Sequence, residues 1–127
     1  CNRKRGALMA ESKLRELSME FSVDIINLVK FLKPNHESVI ANQIGRSGTS
    51  IDANMHEAQY PQSLADMLSK FKIARKECAE TESWLKLLYN TKTIDEETFK
   101  TYRNLCGRIQ RMLTSSCITI EKKIDNK

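Results

Sequence analysis

Residues 63–89 read SLADMLSKFKIARKECAETESWLKLLY, and their spacing decides the fold. Leu64, Met67, Leu68, Phe71, Ala74, Cys78, Thr81, Leu85 and Leu88 recur at intervals of three and four, the period of one helix face. The stretch contains no proline or glycine to interrupt it. Ser63 followed by Asp66 has the form of a capping box, with aspartate in place of glutamate, and marks the start.

The same period appears on either side. Leu14, Leu17, Phe21, Ile25, Leu28, Val29 and Leu32 fall within roughly 120° of arc at about 100° per residue. Lys33-Pro34-Asn35 ends that helix, because proline disfavours helical geometry in the residue before it. Asn35 is placed as the N-cap of a second helix from about His36 to Gln59, with Ile40, Ile44, Ile51, Met55 and Ala58 on its apolar face. Gly45 and Gly48 lie inside it, at about 1 kcal/mol each relative to alanine, and would let a neighbouring backbone come close. Tyr60-Pro61 closes it. After the polar break Asn90-Thr91-Lys92-Thr93, Asp95 caps a fourth helix and Glu96 and Glu97 suit its positive end. Ile94 and Phe99 are spaced as a hydrophobic staple. The core face runs Phe99, Tyr102, Leu105, Cys106, Ile109, Met112, Leu113, Cys117, Ile120.

No alternating strand pattern competes. Residues 1–12 read as a basic N-terminal tail and 13–124 as one all-α, antiparallel up-down-up-down four-helix bundle, with helices about 13–33, 36–59, 63–89 and 95–123.

Composition agrees. A chain of 127 residues, 40% hydrophobic and 29% charged, has the mix and length of a single globular domain rather than of a disordered segment. Four glycines and two prolines are too few for a turn-rich β-sandwich or barrel. No apolar run approaches the ~18–20 residues of a membrane span. Twenty-one basic against 16 acidic side chains give a net charge of +5, which permits binding to a polyanion.

Cys1, Cys78, Cys106 and Cys117 show no C-x-x-C spacing, and His36 and His56 are the only histidines. No metal and no cofactor is therefore expected. Cys78, Cys106 and Cys117 fall on apolar faces and read as buried free thiols in a reducing cytoplasm. The sequence begins at Cys1, consistent with a fragment or with residues added before a start at Met9.

Some residues exceed what a monomer core needs. Ile73, Glu77, Glu80, Trp84 and Leu87 form a row spaced 4-3-4-3 away from the main stripe of the third helix. Met19, Val23 and Ile26 form a similar patch on the first helix. Together they are the candidate oligomer interface, one copy's first helix meeting the next copy's third and closing into a ring. Gln43, Ser47, Ser50, Asn54 and Glu57 form a polar row on the second helix, and Arg75 and Glu82 interrupt the third helix's stripe. With Arg46 these are expected to make a polar network fixing helix register. Catalysis is disfavoured: Ser47 lacks an activating histidine spacing, Arg46-Ser47-Gly48-Thr49-Ser50 lacks the phosphate-loop order, and His56-Glu57 lacks a second histidine. Lys100 and Arg111, flanked by Arg103 and Arg108, lie opposite the core face of the fourth helix, and Lys72 and Lys76 sit one turn apart on the third. These six are the candidate nucleic-acid contacts, directed at phosphates and weakly sequence-specific.

Residues 43–58, QIGRSGTSIDANMHEA, resemble the Q-x-x-R-S-G-T-S-I-x-A-N-x-x-E-A signature of a bacterial four-helix-bundle family. Residues 70–85, KFKIARKECAETESWL, are similar to its K-x-x-I-A-x-K-E-x-x-E-T-x-Y-W-L segment. The family is named for reading frames in intervening sequences of 23S ribosomal RNA genes. Ser83 stands where a large residue is common and Pro61 where alanine is usual. The resemblance implies a ring, typically a homopentamer, and supplies no catalytic residues. It extends distantly to the basic accessory protein of diversity-generating retroelements, which implies RNA, DNA or a reverse transcriptase as partners. A non-enzymatic module binding nucleic acid and a protein-interaction scaffold with incidental charge both remain open.

Overall fold

A computed structural model describes the backbone of residues 2–35 and 37–126, and side chains from residue 12 onward within that range. Four long helices account for it: α1 (Asn2–Leu32), α2 (Ser38–Glu57), α3 (Leu64–Asn90) and α4 (Glu96–Asp125), with a 3-10 turn at Lys33–Asn35. There is no strand among the described residues, and none of their helices is long and apolar enough to cross a membrane.

Helix α1 begins well before the expected start near residue 13, taking in most of the stretch read as a tail. Residues 2–12 hold no proline, and arginine, lysine, alanine, leucine and methionine extend an already nucleated helix at little cost. The α1–α2 corner also differs. Asn35 does not cap α2; it lies in the 3-10 turn, and its Nδ2 donates to the Phe31 carbonyl at 2.7 Å, satisfying an orphan acceptor at the end of α1. Glu37 occupies the N-cap position with no side-chain capping bond. The expected start at His36 falls outside the described residues.

The other caps form as read. Ser63 Oγ accepts from Asp66 N at 3.0 Å, and Asp66 Oδ2 accepts from Gln62 N at 3.1 Å. Asp95 accepts from Thr98 N at 2.7 Å, and hydrogen bonding from the Thr98 side chain and backbone holds its carboxyl below the usual range. Ile94 and Phe99 are both buried in the core. Between α3 and α4 the chain makes a Schellman turn: Thr93 N donates to Leu88 O at 2.9 Å and Lys92 N to Tyr89 O at 3.0 Å. Lys92 takes φ 60° there, in the left-handed region that favours glycine.

Each helix packs on its neighbour in sequence and α4 returns to α1, while α1–α3 and α2–α4 make no comparable contact. The stripes read from the sequence meet in one core, including Phe21, Ile25, Ile44, Ile51, Leu85, Leu88, Ile109 and Leu113. On α2 the inward position is Ala41, and Ile40 is only half-buried. Helix α1 closes on α4 through Tyr102, whose hydroxyl donates to the Asp24 carbonyl at 2.8 Å and whose ring meets Phe21 edge to face. Cys78, Cys106 and Cys117 are buried free thiols. The neighbouring Cys106 thiol and burial push the Cys78 thiol far up, and burial raises the Cys117 thiol.

Candidate functional site

The motif-rich parts of α2 and α3 face each other. Gly48 has no side chain because Ile25 of α1 occupies the space: a Cβ there would lie 2.8 and 2.9 Å from the Ile25 Cγ atoms. Gly45 faces Val29 less tightly, at 3.2 Å. With α1 drawn in on that side, the neighbouring α2 residues address α3. Arg46 reaches across to Glu77 at 3.4 Å and to Glu80. The hydrogen bond from Arg46 and its charge hold the Glu80 carboxyl below the usual glutamate range. One residue on, Ser47 is fully buried, and Thr81 Oγ1 donates to its Oγ at 2.8 Å; the Glu77 carbonyl oxygen, also at 2.8 Å, is the alternative acceptor for the same proton. Further along, Glu57 pairs with Lys70 at 3.1 Å.

These bonds join α2 to α3 at a defined register. Buried hydroxyls hydrogen-bonded to each other lock two helices in one axial position, since a slip would leave both unpaired in an apolar setting. Among the described residues the hydroxyl partners of Ser47 are Thr81 and, at 3.5 Å, the Ile44 carbonyl. Among the described residues no group of three His, Cys, Asp or Glu side chains is placed to hold a metal ion.

The expected polar network is divided. Arg46 and Ser47 join α2 to α3. Asn54 bonds back to Ser50 within α2, at 2.8 Å to its carbonyl and 3.1 Å to its hydroxyl. Glu82 pairs with Lys86 on its own helix at 3.5 Å. Gln43 is exposed and Arg75 half-buried, outside these bonds. Three participants stand elsewhere in the sequence reading. Thr81 was placed among the core positions, and Glu77 and Glu80 in the outer row. Ser18 was not singled out; its Oγ donates to Asp52 Oδ1 at 3.0 Å, tying α1 to α2. Its place in the 14-17-18-21 spacing of α1 was the available signal.

The apolar surface residues stay outside the core. Met19, Val23 and Ile26 are 56%, 51% and 47% exposed on α1, and Ile73 and Leu87 are 39% and 46% exposed on α3. Trp84 is half-buried against the core, its indole Nε1 covered and without a hydrogen-bond partner.

The six candidate nucleic-acid contacts separate by pairing. Lys72 bridges to Glu121 at 3.4 Å and Lys100 to Glu96 at 2.9 Å. The Arg103 guanidinium lies 5.1 Å above the Phe99 ring. Lys76, Arg108 and Arg111 are exposed and, among the described residues, carry no ion pair.

A family model described as 23S rRNA-intervening sequence protein matches residues 10–115. This bears out the resemblance carried by residues 43–58 and 70–85. Among solved structures, similarity extends to the crystal structure of a protein with unknown function from the S23 ribosomal protein family of Bacteroides thetaiotaomicron VPI-5482. The two are 43% identical, with a TM-score of 0.83 over 85% of this chain and 97% of that one. No curated protein matches the chain.

Proposed function

The chain belongs to the 23S rRNA-intervening sequence protein family, and from that premise we propose that it is a non-enzymatic homo-oligomer that binds nucleic-acid backbones. In this reading the helices run up-down-up-down. The α1 patch of one copy packs on the α3 row of the next, and the contacts close into a ring, a pentamer by family resemblance. The observation that carries it is the pair of exposed apolar rows, Met19–Val23–Ile26 and Ile73–Leu87, on two helices that do not pack on each other. Two distinct, non-adjacent patches favour head-to-tail contact over a two-fold dimer, which would use one patch on both subunits. Repeating a +5 subunit around a ring concentrates positive charge, so individually weak phosphate contacts add by multivalency.

Light scattering behind size exclusion tests the assembly. A multiple of the 14.6 kDa chain mass is expected at micromolar concentration, falling to the monomer in Val23→Glu and Leu87→Glu. A monomeric wild type overturns the reading. A scaffold with incidental charge draws support from the ion pairs that occupy Lys72 and Lys100. Salt separates the two: phosphate-directed affinity falls linearly in log K against log salt, whereas a scaffold retains no nucleic acid even at low salt.

A further inference from the structure

On the opposite flank of α3 from the Arg46 joint, α3 and α4 enclose an open groove of about 580 Å³. Its centre is Gly107. Arg103 and Arg111 stand one turn to either side of that glycine, separated by about 12 Å of helix axis, and Glu82 of α3 lines the same groove. Arg111 folds back over the gap: its Nη1 lies 3.3 Å from where a Cβ at residue 107 would sit. Arg103 rests on the Phe99 ring, which supports its guanidinium from below. Neither arginine pairs with a carboxylate among the described residues, although Glu82 shares the groove.

That combination restricts the occupant. Arg103 donates to Asn104 Oδ1 at 3.5 Å, but neither guanidinium has a carboxylate partner, and such groups suit anionic oxygens, which arginine binds by charge-assisted, bidentate hydrogen bonds. Glu82 pairs with Lys86 through Oε1 at 3.5 Å, which leaves its second carboxylate oxygen to accept from a ligand that presents a donor beside its negative charge. A deoxyribose-phosphate strand lacks that donor on its backbone. A ribose-phosphate strand has it in the 2′-hydroxyl. We propose that the groove is a binding site for the backbone of single-stranded RNA, with Arg103 and Arg111 on phosphates and Glu82 accepting from a 2′-hydroxyl. The site rests on the nucleic-acid reading above and narrows it to one strand type and one face. Glu77 and Glu80 point toward α2 through Arg46, so association through the α3 row leaves this groove open.

Fluorescence anisotropy with labelled RNA and DNA oligonucleotides of one sequence, about 12 nucleotides long, tests it. The wild type is expected to prefer RNA about fivefold or more. Gly107→Leu, which leaves the charge unchanged and whose Cβ meets the flexible end of Arg111, should weaken RNA binding about tenfold by filling the groove. Arg111→Gln should do likewise, and Glu82→Ala should bring RNA and DNA affinities together. Circular dichroism and light scattering confirm that each variant keeps wild-type helicity and mass. RNA binding that survives Gly107→Leu, or equal wild-type affinity for RNA and DNA, overturns the groove assignment and leaves the nucleic-acid reading standing. No binding of either strand by the wild type at low salt removes both.

Discussion

Replacing glycine by alanine inside a helix gains about 1 kcal/mol of propensity wherever it is done. Gly48, Gly45 and Gly107 are therefore an internal comparison in which only the surroundings differ. At Gly107 the new methyl meets the tip of Arg111 alone, so Gly107→Ala should stabilise by most of that 1 kcal/mol. At Gly48 the methyl would stand 2.8 Å from Ile25 Cγ1 and 2.9 Å from Cγ2, atoms of a fully buried residue that cannot swing away. Relief requires α1 and α2 to separate or Ile25 to leave its rotamer, at about 1–3 kcal/mol. The net effect of Gly48→Ala is then a loss of up to about 2 kcal/mol. Gly45→Ala, with one contact at 3.2 Å to half-buried Val29, should come out near neutral. Thermal unfolding followed by helical ellipticity, at one fixed protein concentration because association shifts apparent stability, gives the ranking. At roughly 3–5 °C per kcal/mol for a chain of this size, Gly48→Ala and Gly107→Ala should differ by several degrees in opposite directions. If Gly48→Ala unfolds at or above the wild-type temperature, the close approach of α1 to Gly48 is not what requires the glycine.

Lys92→Gly should stabilise by about 1 kcal/mol, since a lysine at φ 60° carries a left-handed penalty that glycine escapes; a loss in urea denaturation would show that the lysine side chain contributes more than the strain costs. Arg46→Met should remove the stabilisation that Glu80 draws from its depressed carboxyl. That contribution is fully present above the ordinary glutamate value of 4.5 and fades as pH falls through the lower folded value, so wild type and variant should converge in acid unfolding and separate toward neutrality. A difference independent of pH would rule out the ion pair as its source. Ser47→Ala and Thr81→Val should each cost about 1 kcal/mol, and the double variant should cost less than their sum. Strict additivity in denaturant would mean that the two hydroxyls are not coupled.

The structure placed some residues with the sequence reading and others against it. The stripes on α1, α3 and α4 and the caps at Ser63 and Asp95 are local or periodic properties, and a chain read linearly displays them. The cap proposed at Asn35 failed because two helix ends competed for one side chain, and the Phe31 carbonyl took it. Residues 1–12 read as a tail because they are basic and lack an apolar period, yet with no proline to stop it the α1 helix runs back to Asn2. Arg46 and Ser47 were visible as polar interruptions, but their partners Glu77, Glu80 and Thr81 lie on another helix at sequence separations that no local rule relates.

What the sequence determined by itself was the set of elements and the family, because helical period, caps and the segments 43–58 and 70–85 are encoded residue by residue. It also announced that Gly45 and Gly48 needed a reason. Only the tertiary structure supplied that reason, Ile25 lying across Gly48. Only packing decided which charges stay free: Lys72 and Lys100 find carboxylates within reach, while Arg103 and Arg111 come to flank an unfilled groove. Ion pairing and steric room depend on distances across helices, and those distances exist only once the apolar stripes have been brought together.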